Sequence, residues 1–259
     1  MSSTLTIGNS INTNGLSLYL DADNLNSYPG TGTTWYDLST NSANVSTGSM
    51  TYVNAGLSSF SSSYNTGSLN TSSIDFYAPN LTSVATVEMV CRFNNYNWGA
   101  GGGQATIFGW SGLYWAGLST SDGGLFFNDD SCVFGNYVPF LLPNSGSSRN
   151  GSADIFGIWY YFVFEMYNGS IGPNTILDNK IWVNGVQQNL ALSAGTPGTK
   201  DFGGGNGAIA TRSGYVPPTN VLNINGINDY AMFRVYNRTL SQAEITNNYN
   251  YYKPFYNLY

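Results

Sequence analysis

Apolar and polar residues alternate in short runs along most of this chain, and clusters of Gly, Ser, Asn and Thr separate the runs. Leu16, Leu18 and Leu20 alternate with Ser17, Tyr19 and Asp21, the period of two that turns one side of a strand inward and the other toward water. Further strand patterns cover residues 50 to 53, 73 to 77, 84 to 93, 105 to 109, 113 to 118, 124 to 127, 132 to 134, 158 to 167, 176 to 183, 207 to 211, 221 to 225 and 229 to 236. Strands this short and this closely spaced predict an all-β sandwich. After Val183 stands Asn184-Gly185, the pair favoured in a tight type I′ turn because both central residues take positive φ.

One segment reads as a helix. Ser241 with Glu244 makes a capping box, and Leu240 and Ile245 are placed as its hydrophobic staple. The helix is expected from Ser241 to about Tyr251 and to end at Lys253-Pro254, because proline cannot continue it. Residues 253 to 259 then form an aromatic tail that either packs back on the domain or docks on a neighbour. Residues 1 to 15 form a polar arm whose Leu5, Ile7 and Ile11 are too few to fold alone, so order is expected only against another subunit. The body, residues 16 to 252, is expected to be one domain.

Four segments carry a family resemblance. Leu16-Ser17-Leu18-Tyr19-Leu20-Asp21-Ala22-Asp23, followed by Ser27 to Ser39 with Trp35-Tyr36-Asp37, resembles the opening of laminin-G-like domains found in many bacteriophage virion proteins. Trp159 to Met166, with Lys180-Ile181-Trp182-Val183-Asn184-Gly185-Val186, is similar to that family's hairpin. Ile74-Asp75-Phe76 and Val87 to Phe93 occupy the places of two middle strands. Asn228 to Ile245 resembles the closing strand and short helix of concanavalin A-like jelly rolls. The resemblance implies an antiparallel two-sheet jelly-roll sandwich with one short C-terminal helix, in modules that mostly bind or build rather than catalyse. Residues 94 to 156 match none of these motifs.

Composition narrows the function classes. Of 259 residues 42% are hydrophobic and only 8% charged, against roughly a quarter in an average soluble domain, so solubility must come from Ser, Thr, Asn and Gly. The net charge is −6, and no two of the 8 Lys and Arg residues are adjacent, which argues against nucleic acid and against an anionic membrane surface. No apolar run reaches the roughly 18 residues of a spanning helix, and residues 1 to 10 lack the basic and apolar regions of a secretory signal. A surface-type composition without an export signal fits a virion protein made in the host cytoplasm. Cys91 and Cys132 are too few for a disulfide framework and are expected to stay reduced.

Catalytic chemistry is sparse. The chain has no histidine, which removes Ser-His-Asp and Cys-His catalysis and the commonest general base. The Glu-x-Asp-x-x-Glu strand of jelly-roll glycosidases is missing, since Glu88, Glu165 and Glu244 are the only glutamates. No enzyme activity is therefore expected, an Asp-based glycan-degrading pair being the third-ranked reading. The glycine runs at 99 to 103 and 203 to 207 do not lead into Lys-Ser/Thr, so turns are expected there rather than phosphate cradles. Asp122, Asn128, Asp129 and Asp130 cluster in one loop. Calcium, which laminin-G-like relatives often hold with Asp, is an option there, and turn formation is the preferred role.

Trp98, Trp110, Tyr114, Trp115 and Tyr137 make the unmatched region aromatic, and with Asp129 and Asp130 they form the candidate ligand site: flat rings stack on sugars while carboxylates and amides bond hydroxyls. Core filling or a subunit contact is the alternative for these rings. Residues 94 to 140 are accordingly expected as loops over one face, with at least two of Trp98, Trp110, Trp115 and Tyr137 partly exposed. The leading functional expectation is a non-enzymatic virion surface protein, a capsid decoration or short fibre or adhesin subunit. Its expected partners are other virion proteins, its own copies and a host surface glycan. A freestanding carbohydrate-binding lectin is the competing reading.

Overall fold

The computed structural model describes residues 10–54, 56–62, 72–95, 104–111, 114–119, 124–136, 155–210 and 227–258. Its strands are β1 (Leu16–Asp21), β2 (Thr34–Trp35), β3 (Val45–Ser46), β4 (Thr51–Asn54), β5 (Ser58–Ser61), β6 (Ile74–Tyr77), β7 (Val84–Asn95), β8 (Gln104–Trp110) and β9 (Tyr114–Ser119). There follow β10 (Leu125–Asn128), β11 (Cys132–Gly135), β12 (Trp159–Tyr167), β13 (Lys180–Val183), β14 (Val186–Gln187), β15 (Ala191–Gly195), β16 (Asn206–Ile209), β17 (Ile227–Tyr236) and the helix α1 (Gln242–Tyr256). The expected strand at 221 to 225, the glycine run at 99 to 103 and residues 1 to 9 of the arm lie outside the described residues.

Two antiparallel sheets form the sandwich. One runs β14-β13-β12-β7-β17-β5-β4, with β1 also paired to β17, and the other runs β15-β11-β10-β9-β8-β16-β6. The all-β jelly-roll sandwich with a C-terminal helix stands as expected. Val87, Met89, Cys91 and Phe93 of β7 and Tyr160, Phe162 and Phe164 of β12 meet Phe76, Phe108, Trp110 and Phe127 from the facing sheet in the main core. The Asn184-Gly185 turn has φ of 48° and 81°, as the type I′ geometry requires. In the second glycine run Gly205 has φ +90° and a Cβ there would lie 2.1 Å from the Ala78 carbonyl oxygen, so this run is a tight turn against β6's exit.

The expectation of a half-buried first strand is corrected. Ser17 and Asp21 are buried as well as Leu18 and Leu20, because α1 covers the other face of the sheet. Val90, Tyr161, Val163, Trp182, Met232 and Tyr236 on that face pack with Ile245, Tyr249, Tyr252, Tyr256 and Leu258 in a second core. The helix, the eight-stranded sheet and the seven-stranded sheet therefore make three layers, and the middle one must be apolar on both faces.

The helix starts as read from sequence: the Ser241 side chain accepts from the Glu244 N–H, and the Glu244 carboxylate accepts from the Ser241 N–H at 2.8 Å. It does not stop at Lys253. The chain stays helical through Pro254 to Tyr256, and Asn257, left-handed with φ 49°, and Leu258 then both donate to the Lys253 carbonyl. The hydrogen bond that Pro254 cannot donate is outweighed by burial of Tyr252, Tyr256 and Leu258 against the sheet. The aromatic tail thus packs back on its own domain. Residues 10 to 15, expected to gain order only against another subunit, bond to their own chain at α1 and the segment before it: Asn247 Nδ2 donates to the Ser10 carbonyl at 2.7 Å, the Asn12 N–H donates to Asn248 Oδ1 at 3.2 Å, and Arg238 Nε donates to the Asn14 carbonyl at 2.8 Å.

Beneath α1 lies a buried ion pair. Glu88 on β7 and Arg234 on β17 are register partners, both fully buried, with Arg234 Nη2 3.1 Å from Glu88 Oε2. Tyr161 Oη donates to the carboxylate, and Asn248 Nδ2 donates to it at 2.9 Å. The guanidinium sits over the rings of Tyr19 and Tyr252, 5.2 Å from each centroid. Burial opposes the charge on Arg234, but Glu88 and the surrounding tyrosines hold its pKa well above the ordinary value. Burial and the neighbouring Glu88 push the Tyr161 phenol well up, which keeps it a donor.

Two stability predictions follow from this arrangement. The hydrogen bonds of Arg238, against an opposing effect of burial, hold the Glu244 carboxyl down at about 2, so its contribution to folding is fully present above its ordinary 4.5 and is lost as pH falls toward 2. Glu244→Gln should flatten that acid limb and Ser241→Ala should cost about 0.5 to 2 kcal/mol, both measured by urea denaturation across pH. Arg234→Met alone should cost about 3–5 kcal/mol by stranding the Glu88 charge, and Glu88→Leu combined with Arg234→Met should recover a large part of that loss in the same assay.

Candidate functional site

Of the rings singled out in the aromatic middle region, the described ones, Trp110, Tyr114 and Trp115, do not come together at the surface. Residues 104–110, 114–119, 125–128 and 132–135 are strands of the second sheet, as the strand patterns at 105 to 109, 113 to 118, 124 to 127 and 132 to 134 predict, and the expectation of loops over 94 to 140 is corrected at these residues. Trp110 is fully buried among Phe76, Phe108 and Phe202, and its indole N–H points at Met166 Sδ at 3.4 Å. Tyr114 is buried and stacks on Phe202, and Asn179 Nδ2 donates to its hydroxyl. Trp115 is buried against Phe126, their centroids 5.1 Å apart. Trp110 and Tyr114 lie on the core-facing side of their strands, where large rings remove the most area from water, whereas Trp115, next to Tyr114 on β9, lies with Phe126 on the other face of the sheet. Trp98, Tyr137 and Asp122 lie outside the described residues.

The acidic loop does the work of a turn. Asp129 Oδ1 accepts from the backbone N–H groups of Ser131 and Cys132 at 3.0 and 2.7 Å, and its Oδ2 accepts from Gly198 at 2.7 Å. Asn128 Oδ1 accepts from the Asp130 N–H, and Asp130, exposed, has φ 69°. Both Asp129 oxygens therefore serve the β10–β11 hairpin and its contact with the segment after β15. Among the described residues no three His, Cys, Asp or Glu side chains are gathered as for a metal ion. Cys91 and Cys132 are free and buried in opposite sheets, and no described helix is long and apolar enough to cross a membrane.

An open cleft of about 430 Å³ lies elsewhere, between the exit of β1 and the last two turns of α1, lined by Asp21, Asp23, Asn24, Leu25, Tyr251, Tyr252, Phe255 and Tyr256. Its size falls within the roughly 300–1,000 Å³ of ligand clefts. The capping box and the burial of Tyr252 and Tyr256 set the helix in place, so residues 251 and 255, one turn apart, fall on the rim. Phe255 is 59% exposed and Leu25 is 74% exposed, unusual for side chains that could be buried, and the Tyr251 and Phe255 rings sit 5.7 Å apart.

The polar wall is made of carboxylates held by tyrosines. Asp21 Oδ2 accepts from Tyr19 Oη at 3.0 Å and from Tyr252 Oη at 3.2 Å, while its Oδ1 accepts from the Asp23 N–H at 3.1 Å. Burial pushes the Asp21 carboxyl up, and the hydrogen bonds from Tyr19, the Asp23 backbone and Tyr252 work the other way. Asp23, exposed, accepts from the Ser58 N–H at 2.9 Å and from Tyr256 Oη at 2.9 Å. Burial, then the charges of Asp21 and Asp23, drive the Tyr256 phenol far up, so it remains a donor to Asp23. Chemically the cleft offers apolar rings beside oxygen acceptors. The signal in sequence was the aromatic spacing Tyr251-Tyr252 and Phe255-Tyr256, whose i, i+4 phase matters only once the helix is known to pass Pro254.

No family model matches the chain, and no curated protein matches it. Solved structures do. A botulinum neurotoxin type C structure, described as dependent on two ganglioside molecules for reaching the cell interior, is 14% identical over 92% of this chain and 51% of its own, with a TM-score of 0.52. The binding domain of Paraclostridial Mosquitocidal Protein 1 is 14% identical over 93% of this chain and 53% of its own, with a TM-score of 0.52. The Trypanosoma rangeli sialidase, complexed with 2,3-difluorosialic acid, is 12% identical over 96% of this chain and 35% of its own, with a TM-score of 0.53. The chain thus spans about half the length of the toxin chains and about a third of the sialidase. What is shared at such identities is the jelly-roll sandwich.

Proposed function

We propose that this chain is a non-catalytic binding module on the surface of a bacteriophage particle, a capsid decoration protein or a short fibre or adhesin subunit, that holds a host-surface glycan in the cleft beside α1. The observation that carries the binding reading is the meeting, in one open cleft, of the half-buried ring of Tyr251 and the exposed ring of Phe255 with Asp23 and Asn24. A sugar buries its apolar face on aromatic rings and donates its hydroxyls to carboxylates, so the cleft has both halves of that recognition. The ganglioside of the neurotoxin structure and the difluorosialic acid of the sialidase favour carbohydrate as the ligand class.

The non-catalytic reading is supported by the fate of the glutamates. Glu88 is sealed under the helix with Arg234, Glu165 is bonded to Lys180 at 2.7 Å and to Tyr167 at 3.0 Å, and Glu244 serves the cap. Glycoside hydrolysis requires two carboxyl groups flanking one bond, and these three are spoken for. Particle display is supported by the opening motif from Leu16 to Ser39 and by a surface made soluble by Ser, Thr, Asn and Gly rather than charge.

The purified chain should bind on an array of host-surface glycans. Phe255→Ala should abolish that binding while changing stability by less than about 0.5 kcal/mol, whereas Trp110→Ala should cost about 3–5 kcal/mol through the core. A silent array with self-association in solution would leave only the structural role, and reducing-sugar release from host polysaccharide would restore the enzyme reading. Electron microscopy of antibody-labelled particles tests the location, and unlabelled particles would favour a freestanding lectin.

A further inference from the structure

The cleft's charged groups are all of one sign, with Asn24 and Tyr251 as neutral polar neighbours. Among its lining residues none is Lys or Arg, and the charged side chains are Asp21 and Asp23. Among the described residues, the guanidinium behind the Tyr252 ring, that of Arg234, is fully buried and is paired to Glu88. Lys253, the one cation on the last turn of α1, sits over the Tyr249 ring. The hydroxyl protons of Tyr252 and Tyr256 are turned inward, toward Asp21 and Asp23. Asp23 accepts one hydrogen bond on each oxygen, which leaves lone pairs open on an exposed carboxylate. The wall therefore accepts hydrogen bonds and repels anions, and the chain's net charge of −6 adds a weaker repulsion at longer range.

Resting on the glycan-binding reading, we infer that the cleft takes a neutral sugar, whose adjacent hydroxyls donate to Asp23 while its apolar face lies on Tyr251 and Phe255, and that it rejects sugars bearing a carboxylate or phosphate. Specificity of this kind comes from the unpaired like charge that the wrong ligand would bring beside Asp23. Recognition and exclusion then share one residue.

The test is a matched pair of oligosaccharides, one neutral and one identical but for a terminal sialic acid, titrated against the full chain by calorimetry. The neutral member should bind at least about tenfold more tightly, with the gap narrowing as salt is raised. Asp23→Asn, which keeps an acceptor for Ser58 and the shape of the side chain, should bring the two affinities toward parity, with its melting temperature recorded to show that the domain is folded. Equal or tighter binding of the sialylated sugar by the unaltered chain would overturn the inference while leaving glycan binding intact. An unchanged preference in folded Asp23→Asn, or a gap indifferent to salt, would equally overturn it. Binding of neither sugar, nor of any glycan on the array, would remove the glycan reading and this inference together.

Discussion

The Glu88–Arg234 pair is the interaction around which the outer half of the molecule is organised. Two opposite charges with no access to water depend on the groups packed around them, and these come from distant parts of the chain. Tyr161 arrives from β12, Asn248 from α1, Tyr19 from β1 and Tyr252 from the next turn of the helix. The pair thereby ties the register of β7 against β17 to the seating of the helix. Tyr252 carries the connection onward, since the ring under the guanidinium belongs to the same side chain whose hydroxyl donates to Asp21 in the cleft.

A second constraint is the double burial of the eight-stranded sheet. A sheet with a solvated face can spend every other position on polar residues, but β12 is buried from Trp159 to Met166 and can spend almost none. Two contacts join the helix-covered face to α1: Trp182 Nε1 donates to Gln242 Oε1 at 3.0 Å, and Gln242 Nε2 donates to the Gly185 carbonyl at 3.0 Å. These contacts fix the first turn of α1 to the β13–β14 hairpin, while Tyr256 and Asp23 fix its last turn to the loop after β1. A helix pinned at both ends offers rigid rim residues, and rigid aromatic contacts lose little conformational freedom on binding.

The distribution of aromatic residues follows the same logic. Phe76, Phe108, Trp110, Tyr114 and Phe127 on the strands of the second sheet enter the main core, whereas Tyr251 and Phe255 lie on the helix phase that faces the mouth of the cleft. Their partner carboxylates are already oriented by tyrosine hydroxyls and backbone N–H groups, so a ligand would meet acceptors that need no rearrangement. Preorganisation of that sort is what lets a small cleft bind selectively.

Much of the architecture was legible in the chain itself, because the signals are local. Period-two alternation, the Asn184-Gly185 turn and the Ser241–Glu244 box each depend on residues a few positions apart, and the strands, turn and helix start follow them. The short strands β2, β3, β5, β14 and β15 carried too few alternating residues to be read in this way. What only the tertiary structure decided is which surfaces meet. The sequence of β1 cannot say that its polar side lies under a helix more than two hundred residues away, nor that Pro254 is tolerated because Tyr256 and Leu258 find a sheet to bury against. Burial is a property of the assembled layers, so the same alternation that reveals a strand is silent on whether Trp110 or Phe255 will face the core. The candidate cleft, built from Asp21–Leu25 and the end of α1, exists only where those two ends of the chain come together.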